Sequence, residues 1–465
     1  MNKKENKISK EIKINKKSAR RNYSNQTGIT LIALVVTIVV LLILAGVSLN
    51  AIFSENGIIK RAQDAQNKMD QATQNDLDSI NELNNWIDGK TNGTTGGNTT
   101  GGDDKPSTSD LPSTSYTIPY YPDNTFTKVE GTDLSNGLVI KDTSGNEYVW
   151  IEVPKTTGVY PTAGLEITNF TETEYTAIET DLHTYTDYYR RDKSGTLTSY
   201  KDEYPSDKVK EGTGLTSTQY TELKQKMLKS VYENGGFWIG RYEAGITTNR
   251  TSKDEEITAE PLSKAEIVEN AVYPYTYVTC SQAQTLASKL STGKSYTSSL
   301  MFGVQWDLVL KHIEVKEVAK GTTLATIQSA LRTESKDWGN YCNATFTINR
   351  GKYADYKNWS LSTWTPYNQT TSNNFVNSSV KQTQSGGNGI LLTTGASDAC
   401  KKMNIYDLAG NVSEWTLEYT AAPAPCACRG GFYCVDGSDY PASERGSDGT
   451  TRSYDFVGFR PSLFK

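Results

Sequence analysis

The side chains that could carry redox or metal chemistry are few and unevenly spaced. The chain has six cysteines, of which Cys426, Cys428 and Cys434 crowd near the C-terminus, and two histidines, His183 and His312. Because no C-x-x-C pair occurs, a zinc knuckle is not expected, and two histidines are too few for a multi-histidine centre. In an exported protein the even cysteine number permits disulfides, including one between Cys434 and either Cys426 or Cys428.

Length and charge limit the classes of protein that the chain can be. Its 465 residues predict two or three structural units. The net charge of -5 is uneven, because residues 1–27 hold nine Lys or Arg and two Glu, hence +7, which leaves -12 for the remainder. The acidic body argues against nucleic-acid binding, and the basic head fits the inner face of a membrane. The 28 tyrosines indicate either strand formation or a contact surface.

An apolar segment follows the basic head. The run from 28 to 47 has 20 uncharged residues, enough to cross a bilayer as a helix. A cleaved secretory signal, with its cleavage site at 45–47, would explain it. A plain transmembrane anchor or a prepilin leader would explain it equally well.

The prepilin interpretation depends on a short motif. The letters GITLI at 28–32 resemble the prepilin peptidase site of type IV pilins and pseudopilins. The resemblance implies cleavage after Gly28, which leaves Ile29 as the mature N-terminus. It also implies a leader over 1–28, then a membrane helix and amphipathic stalk over 29–90. The partners it implies are the membrane, prepilin peptidase and other pilin subunits.

The stalk itself leaves two possibilities open. Over 58–87, apolar residues recur mostly three or four apart, which is typical of an amphipathic helix. Ala33 departs from the pilin pattern, which has a Glu there to pair with a neighbouring subunit's amino terminus. Assembly into a pilus and a solvated juxtamembrane helix therefore remain alternatives.

A linker separates this stem from a large domain. Residues 91–117 consist mostly of Gly, Thr, Ser, Asn and Pro, which predicts a flexible tether. From 118 to 465 the composition becomes globular, with a strand predicted at 149–154 and another within 235–245. Two helices amid short strands and many loops then indicate an α+β domain.

Those two helices are predicted from local patterns. The first follows a Ser N-cap at Ser281 and runs to Leu290. The second is predicted over 301–310. Residues 155–230 match no motif, and we expect them to form an insertion that shapes the binding face.

The motifs of the large domain, in order, resemble those of the formylglycine-generating enzyme (sulfatase-modifying factor) family, whose fold is C-type-lectin-like. The strongest match is NIYDLAGNVSEWT at 404–416, close to that family's D-L-x-G-N-V-x-E-W-T. An F-x-I-x-x-Y-E strand precedes it at 237–243, and Arg-Gly-Gly at 429–431 and Gly-Phe-Arg at 458–460 follow it. The resemblance spans 230–465.

Several motif residues have structural roles open to them. Gly410 suits a tight turn and Asn411 tolerates left-handed geometry. Trp415 is a natural core anchor. Arg460 is expected to tie down the last strand by pairing with a buried carboxylate.

The resemblance argues against catalysis. The family's oxidases use two cysteines five residues apart after the Gly-Gly, and these positions correspond to Cys434 and Asp439. One thiol is missing, so the copper-thiolate chemistry is not assigned, and the related iron-dependent sulfoxide synthases need several histidines. The prediction is a protein that is not an enzyme, with oxidation of protein thiols as the least favoured alternative.

Calcium is the one cofactor that the resemblance implies. In the family the loop coordinates calcium at positions that correspond here to Asp407, Gly410, Val412 and Glu414. Such hard oxygen ligands suit calcium. The alternative is that Asp407 and Glu414 only hydrogen-bond the loop, and any metal would be structural.

The predicted ligand-binding segment is the Gly-, Ser-, Asp- and Tyr-rich run 432–456, whose composition is typical of a recognition surface. Its candidate contact residues are Phe432, Tyr433, Asp436, Asp439, Tyr440 and Tyr454. Similar lectin-like folds serve as variable ligand displays, including targets of diversity-generating retroelements with a variable C-terminal segment. The function expected is that of an adhesin-like domain on the cell surface or a pilus, with an unknown glycan or protein ligand. The alternative is a structural minor pilin or a pseudopilin of a secretion machine.

Overall fold

The computed structural model describes residues 119–204, 212–265, 268–358, 360–367, 374–376, 388–421 and 423–465. The predicted leader, membrane helix, stalk and linker lie outside the described residues. Among the helices of the described ranges, none combines the length and apolarity that a membrane crossing needs.

Helices are more numerous than the sequence predicts. The described ranges contain α1 (Glu172–Tyr185), α2 (Ser217–Asn234), α3 (Cys280–Lys289), α4 (Gly303–Ala319) and α5 (Leu324–Arg332). The predicted helices correspond to α3 and α4. The predicted N-cap at Ser281 is wrong, because Thr279 caps α3 and exchanges two hydrogen bonds with Gln282 three residues later.

The segment 155–230, which carries no motif, folds into α1 and most of α2. Each helix begins with a Thr that forms a capping box, Thr171 with Glu174 and Thr216 with Gln219. The segment is therefore built into the domain and contributes buried residues to the main core.

Strands in the described ranges are short, as predicted. They are β1 (Thr127–Lys128), β2 (Val139–Lys141), β3 (Glu147–Glu152), β4 (Gly236–Gly240), β5 (Gly245–Ile246), β6 (Tyr273–Pro274), β7 (Thr297–Leu300), β8 (Thr345–Thr347), β9 (Lys352–Lys357), β10 (Ser360–Leu361), β11 (Thr365–Pro366), β12 (Asn374–Val376), β13 (Gly389–Leu392), β14 (Lys401–Lys402), β15 (Ile405–Tyr406), β16 (Ser413–Tyr419), β17 (Cys426–Arg429), β18 (Arg445–Asp448), β19 (Val457–Phe459) and β20 (Pro461–Phe464). Short strands with five helices confirm an α+β domain.

The largest sheet is buried on both faces. Its order is β1-β2-β3-β4-β20-β7, with every pair antiparallel. Trp150 lies opposite Trp238, and Leu463 follows on the next strand. These three side chains pack on one face, while Val149 and Ile239 point to the other and join the main core. Because side chains point alternately to the two faces along each strand, the sheet contributes to two apolar clusters.

A second sheet carries the C-terminal motifs. Its order is β18-β17-β16-β19, and only the β16–β19 pair is parallel. The chain leaves this sheet at β19 and enters the large sheet at β20 with a single residue, Arg460, between them. Anything that fixes Arg460 therefore fixes the two sheets to each other.

Candidate functional site

The turn before β16 is built on the two residues that the sequence assigns to it. Gly410 has φ +76°, and a Cβ there would lie 2.2 Å from the Asn340 carbonyl oxygen, so only glycine fits. Asn411 has φ +56° and accepts hydrogen bonds from Asn340 Nδ2 at 2.9 Å and Leu392 N at 3.0 Å. Its own Nδ2 donates to Glu243 Oε2 at 2.7 Å. The predicted conformations of both residues are confirmed.

Arg460 joins the two sheets through a buried ion pair. Its guanidinium donates to both carboxylate oxygens of Glu414, with the shortest distance 2.6 Å from Nη2 to Oε1. It also donates to the carbonyls of Gly240 at 2.9 Å and Tyr406 at 2.8 Å. The arginine side chain is fully buried. The predicted pairing of Arg460 with a buried carboxylate is confirmed, as is the burial of Trp415.

The predicted calcium ligands lie in one loop, but groups of the protein already bond to both of its carboxylates. Glu414 is held by Arg460, so a calcium ion would have to compete with a guanidinium for it. Asp407 accepts from Gly395 N at 2.7 Å through Oδ2, and its Oδ1 has no hydrogen-bond partner in the described structure. Burial raises the pKa of Asp407 to about 7, and it raises the pKa of Glu243 well above its usual range.

Arg460 offsets part of the negative charge of this cluster, and burial favours the protonated forms of Asp407 and Glu243. Of the predicted set Asp407, Gly410, Val412 and Glu414, Glu414 is paired with Arg460, while Asp407 keeps one buried oxygen without a hydrogen-bond partner in the described structure. The geometry favours the alternative in which the carboxylates hydrogen-bond the loop and pair with Arg460. Calcium binding stays a prediction.

A buried charge network fixes the segment predicted to bind ligand. Arg429 lies between Asp307 at 2.8 Å and Glu418 at 3.2 Å. Arg445 contacts the same two acids at 2.6 and 2.9 Å and donates to the Tyr189 carbonyl at 2.8 Å. Two cations thus balance two carboxylates, all at most 4% exposed. Because Arg445 lies in the middle of 432–456, this run is pinned to the domain at its centre.

Four aromatic side chains of the run 432–456 form a row. Phe432 stacks on Phe456 at 4.5 Å between ring centroids, and Tyr454 stacks on Phe456 at 4.7 Å. Tyr440 continues the row at 5.8 Å from Phe432. Tyr440 is 38% exposed and the other three are half-buried. We call these four residues the aromatic row.

The aromatic row borders a pocket of about 270 Å³, here called the C-terminal pocket. It combines aromatic walls, small residues and two acids; the lining residues are Ser413, Trp415, Cys428, Gly431, Phe432, Tyr440, Glu444, Gly446, Ser447, Asp448, Phe456 and Val457. Burial raises the pKa of Glu444, opposed by the positive charges of Lys193, Arg429 and Arg445. The pocket can therefore offer both aromatic contact and carboxylate oxygens.

The structure brings together three of the six predicted contact residues. Phe432, Tyr440 and Tyr454 belong to the aromatic row, and the first two also line the C-terminal pocket. Asp439 is exposed at the turn before Tyr440, and its carbonyl accepts a hydrogen bond from Lys193 Nζ at 2.5 Å.

Tyr433 and Asp436 have different positions from those predicted. Tyr433 is fully buried, packs edge-on against Tyr356 at 5.3 Å and donates to Asp455 Oδ2 at 3.1 Å. Its expected exposure is wrong, because the Gly-Gly turn sends it inwards and Phe432 outwards. Asp436 Oδ1 accepts from Cys342 Sγ at 2.8 Å, so it ties the loop to the domain.

Three residues that matter for the site are not among those that the sequence predicts. Phe456 is the centre of the aromatic row, and an aromatic residue two positions after Tyr454 was a usable signal. Glu444 and Asp448 line the pocket, but they are two of the five acids in the run 432–456, and nothing in the sequence distinguishes them from the others.

The cysteines form no disulfide in the structure. All six are described and are free thiols, so the pairing of Cys434 with Cys426 or Cys428 that the sequence permits is not formed. Cys434 is buried beside Tyr433 and Tyr356, and burial raises the pKa of its thiol to about 12. Its thiolate is therefore strongly disfavoured at neutral pH.

A second group of ligand-type residues lies near the start of α4. Donor atoms of Glu179, His183 and Asp202 lie within 4.8 Å of one another. Lys224 Nζ donates to both Glu179 oxygens and to the Asp202 carbonyl, each at 2.8 to 3.0 Å. Asp202 accepts from the backbone N–H groups of 303 and 304 at 2.7 and 2.8 Å. An ammonium and a helix N-terminus therefore already balance these carboxylates.

Comparison with known proteins assigns the domain to a family. The sulfatase-modifying factor enzyme 1-like domain matches residues 164–462. The match begins before 230, where the recognisable motifs start, and so includes α1 and α2. No curated protein matches the chain.

Two solved structures show partial similarity. The crystal structure of CarF is 13% identical, with a TM-score of 0.28, over 50% of this chain and 87% of that chain. Treponema denticola variable protein 1 is 13% identical, with a TM-score of 0.26, over 50% of this chain and 85% of that chain. Similarities of this size carry no functional argument.

Proposed function

We propose, on the premise that the chain belongs to the sulfatase-modifying factor enzyme 1-like domain family, that its folded domain is a ligand-binding module without catalytic activity. The C-terminal pocket and the aromatic row form the proposed contact site. One observation carries this proposal: partly exposed aromatic rings border a concave pocket on a segment that Arg445 fixes to the domain. Rigid aromatic residues supply contact area at a low entropy cost.

The thiols support a binding role over oxidation. Cys434 is buried, its thiol has a raised pKa, and Asp439 stands where the family's oxidases have the second cysteine. Because thiolates are the reactive form, a buried and protonated thiol is a poor nucleophile or copper ligand.

Display on the cell surface is the second part of the proposal and depends on the sequence alone. The apolar run 28–47 would anchor the chain in the membrane, and the linker 91–117 would tether the domain outside the cell. Prepilin peptidase would cut between Gly28 and Ile29. A minor-pilin role is compatible with this arrangement, since a pilus tip can also carry a binding domain.

The binding proposal is tested by screening the full-length chain, purified in detergent, against glycan and cell-surface protein arrays. Tyr440→Ala removes the most exposed ring of the aromatic row. Tyr121→Ala is the matched control, because Tyr121 is also 38% exposed but lies outside the site. We expect specific binding that Tyr440→Ala weakens and Tyr121→Ala leaves intact. Equal binding by both variants would place the contact elsewhere, and no binding by the folded wild type would favour the structural minor-pilin alternative.

A further inference from the structure

The chemistry of the C-terminal pocket narrows the class of ligand. We propose that it takes one positively charged side chain, an arginine or lysine presented by a protein or peptide. The stem of that side chain would lie against Phe432 and Tyr440, and its charge would face Glu444 and Asp448. This inference rests on the proposed binding function and specifies its ligand.

The size of the pocket suits a single side chain. Its volume is about 270 Å³, below the roughly 300–1,000 Å³ of sites that enclose a drug-sized molecule. An oligosaccharide or a large cofactor would therefore lie mostly outside it. A side chain reaching in from a partner's surface would instead be enclosed.

The charge of the lining is negative. Among the described residues that line the pocket, Glu444 and Asp448 are acidic and none is Lys, Arg or His. Glu444 forms no ion pair within the described part of the chain. Asp448 Oδ1 accepts a hydrogen bond from Gly449 N at 2.7 Å and lies 3.7 Å from Arg452 Nε, whose side chain is 62% exposed. Glu444 is half-buried, and the positive charges of Lys193, Arg429 and Arg445 offset only part of the cost of its burial. An incoming cation in direct contact would stabilise its charged form further.

Three of the nearby cations in the described part of the chain are held by other groups, and the fourth, Arg452, lies 3.7 Å from Asp448 with an exposed side chain. Arg429 and Arg445 are held in the buried network by Asp307 and Glu418. Lys193 donates to the Ser438 and Asp439 carbonyls at the rim. None of these three is available to move into the pocket without breaking these contacts.

The aromatic walls of the C-terminal pocket also suit a positively charged side chain. Phe432 and Tyr440 meet at 58° between ring planes, 5.8 Å apart, which presents ring surface from two directions. An ammonium or guanidinium over such rings is attracted by the negative ring face, and the attraction grows as the cation loses its water. A neutral sugar would also stack on them but would leave Glu444 unpaired, and an anion would be repelled.

The test uses the full-length chain in detergent and two small probes of nearly equal shape. N-acetyl-arginine amide carries a positive charge, and N-acetyl-citrulline amide is its neutral counterpart. Affinities are measured by ligand-observed NMR for the wild type and for Glu444→Gln. Glu130→Gln is the control, since it makes the same change at an exposed site outside the pocket. Melting temperatures verify that each variant folds.

We expect the arginine probe to bind about tenfold more tightly than the citrulline probe, which corresponds to one charge-assisted contact. Glu444→Gln should remove that preference, and Glu130→Gln should keep it. Equal binding of the two probes, an unchanged preference in Glu444→Gln, or no binding of the arginine probe at about 10 mM would overturn the inference. If array ligands still depend on Tyr440 in that case, the binding function stands and only the ligand class is wrong.

Discussion

Replacement of Asp407 by Asn should make the protein more stable at alkaline pH than at acidic pH, relative to the wild type. Asp407 is 1% exposed and lies near Glu243 and Glu414, and among the described residues Arg460 is the cation that bonds to this group. Its φ of +57° is one that Asn tolerates well, and Gly395 N can donate to an amide oxygen as it does to the carboxylate. The substitution thus removes the charge with little change in shape.

The magnitude follows from proton linkage. Burial raises the pKa of Asp407 from its usual 3.8 to about 7 in the folded chain. The folded state therefore holds the proton more tightly than the unfolded state does. The stabilisation is fully present below pH 3.8 and is lost as the pH rises through about 7. A difference of roughly three pH units corresponds to on the order of 4 kcal/mol.

The assay is urea denaturation of the wild type and Asp407→Asn at pH 5 and pH 8. The difference in unfolding free energy between the two proteins should shift in favour of the variant by a few kcal/mol at pH 8. Any effect of the amide on the unfolding free energy that does not depend on pH cancels in this comparison. Asp254→Asn, at a side chain that is 80% exposed, is the control and should show no such shift. An unchanged difference at Asp407 would refute the account of this buried carboxylate cluster.

Three further predictions concern the turn at Gly410, the buried charge network and the predicted calcium ligands. Gly410→Ala should lower the unfolding free energy by several kcal/mol in denaturant titrations, because its Cβ would meet the Asn340 carbonyl at 2.2 Å and φ is +76°. Arg445→Met should cost about 3–5 kcal/mol, because it leaves two buried carboxylates, Asp307 and Glu418, with the single positive charge of Arg429. Calcium should leave the melting temperature within about 1 °C of its value in chelator, because Arg460 already holds Glu414.

Each of these has a clear opposing result. Wild-type stability in Gly410→Ala would mean that the turn relaxes. A loss below about 1 kcal/mol in Arg445→Met would mean that the network contributes little to folding. A rise of several degrees with calcium would restore the predicted metal site at Asp407 and Glu414.

Residues whose role is set by local backbone geometry or by a motif were predictable. The left-handed turn at Gly410 and Asn411 and the buried Arg460 were all found from the C-terminal motifs, because few residue types satisfy those positions. The α+β class was also predictable, since short strands and amphipathic helices leave separate periodic signals.

Residues whose role depends on long-range packing were not predictable. Tyr433 and Phe432 are adjacent aromatics, and only the path of the chain after Gly431 decides which one is buried. Glu444 becomes significant because Phe432 and Phe456 arrive beside it from distant positions. The sequence does not distinguish Thr279 from Ser281 as the helix cap, because both residues have a hydroxyl side chain suited to that position.

The most direct test of the central claim is hydroxyl-radical footprinting of the full-length chain with and without the strongest ligand found on the arrays. We expect Phe432, Tyr440 and Tyr454 to become protected on binding, while Tyr121, which is as exposed as Tyr440, does not change. Protection confined to residues outside the aromatic row and the C-terminal pocket would contradict that claim.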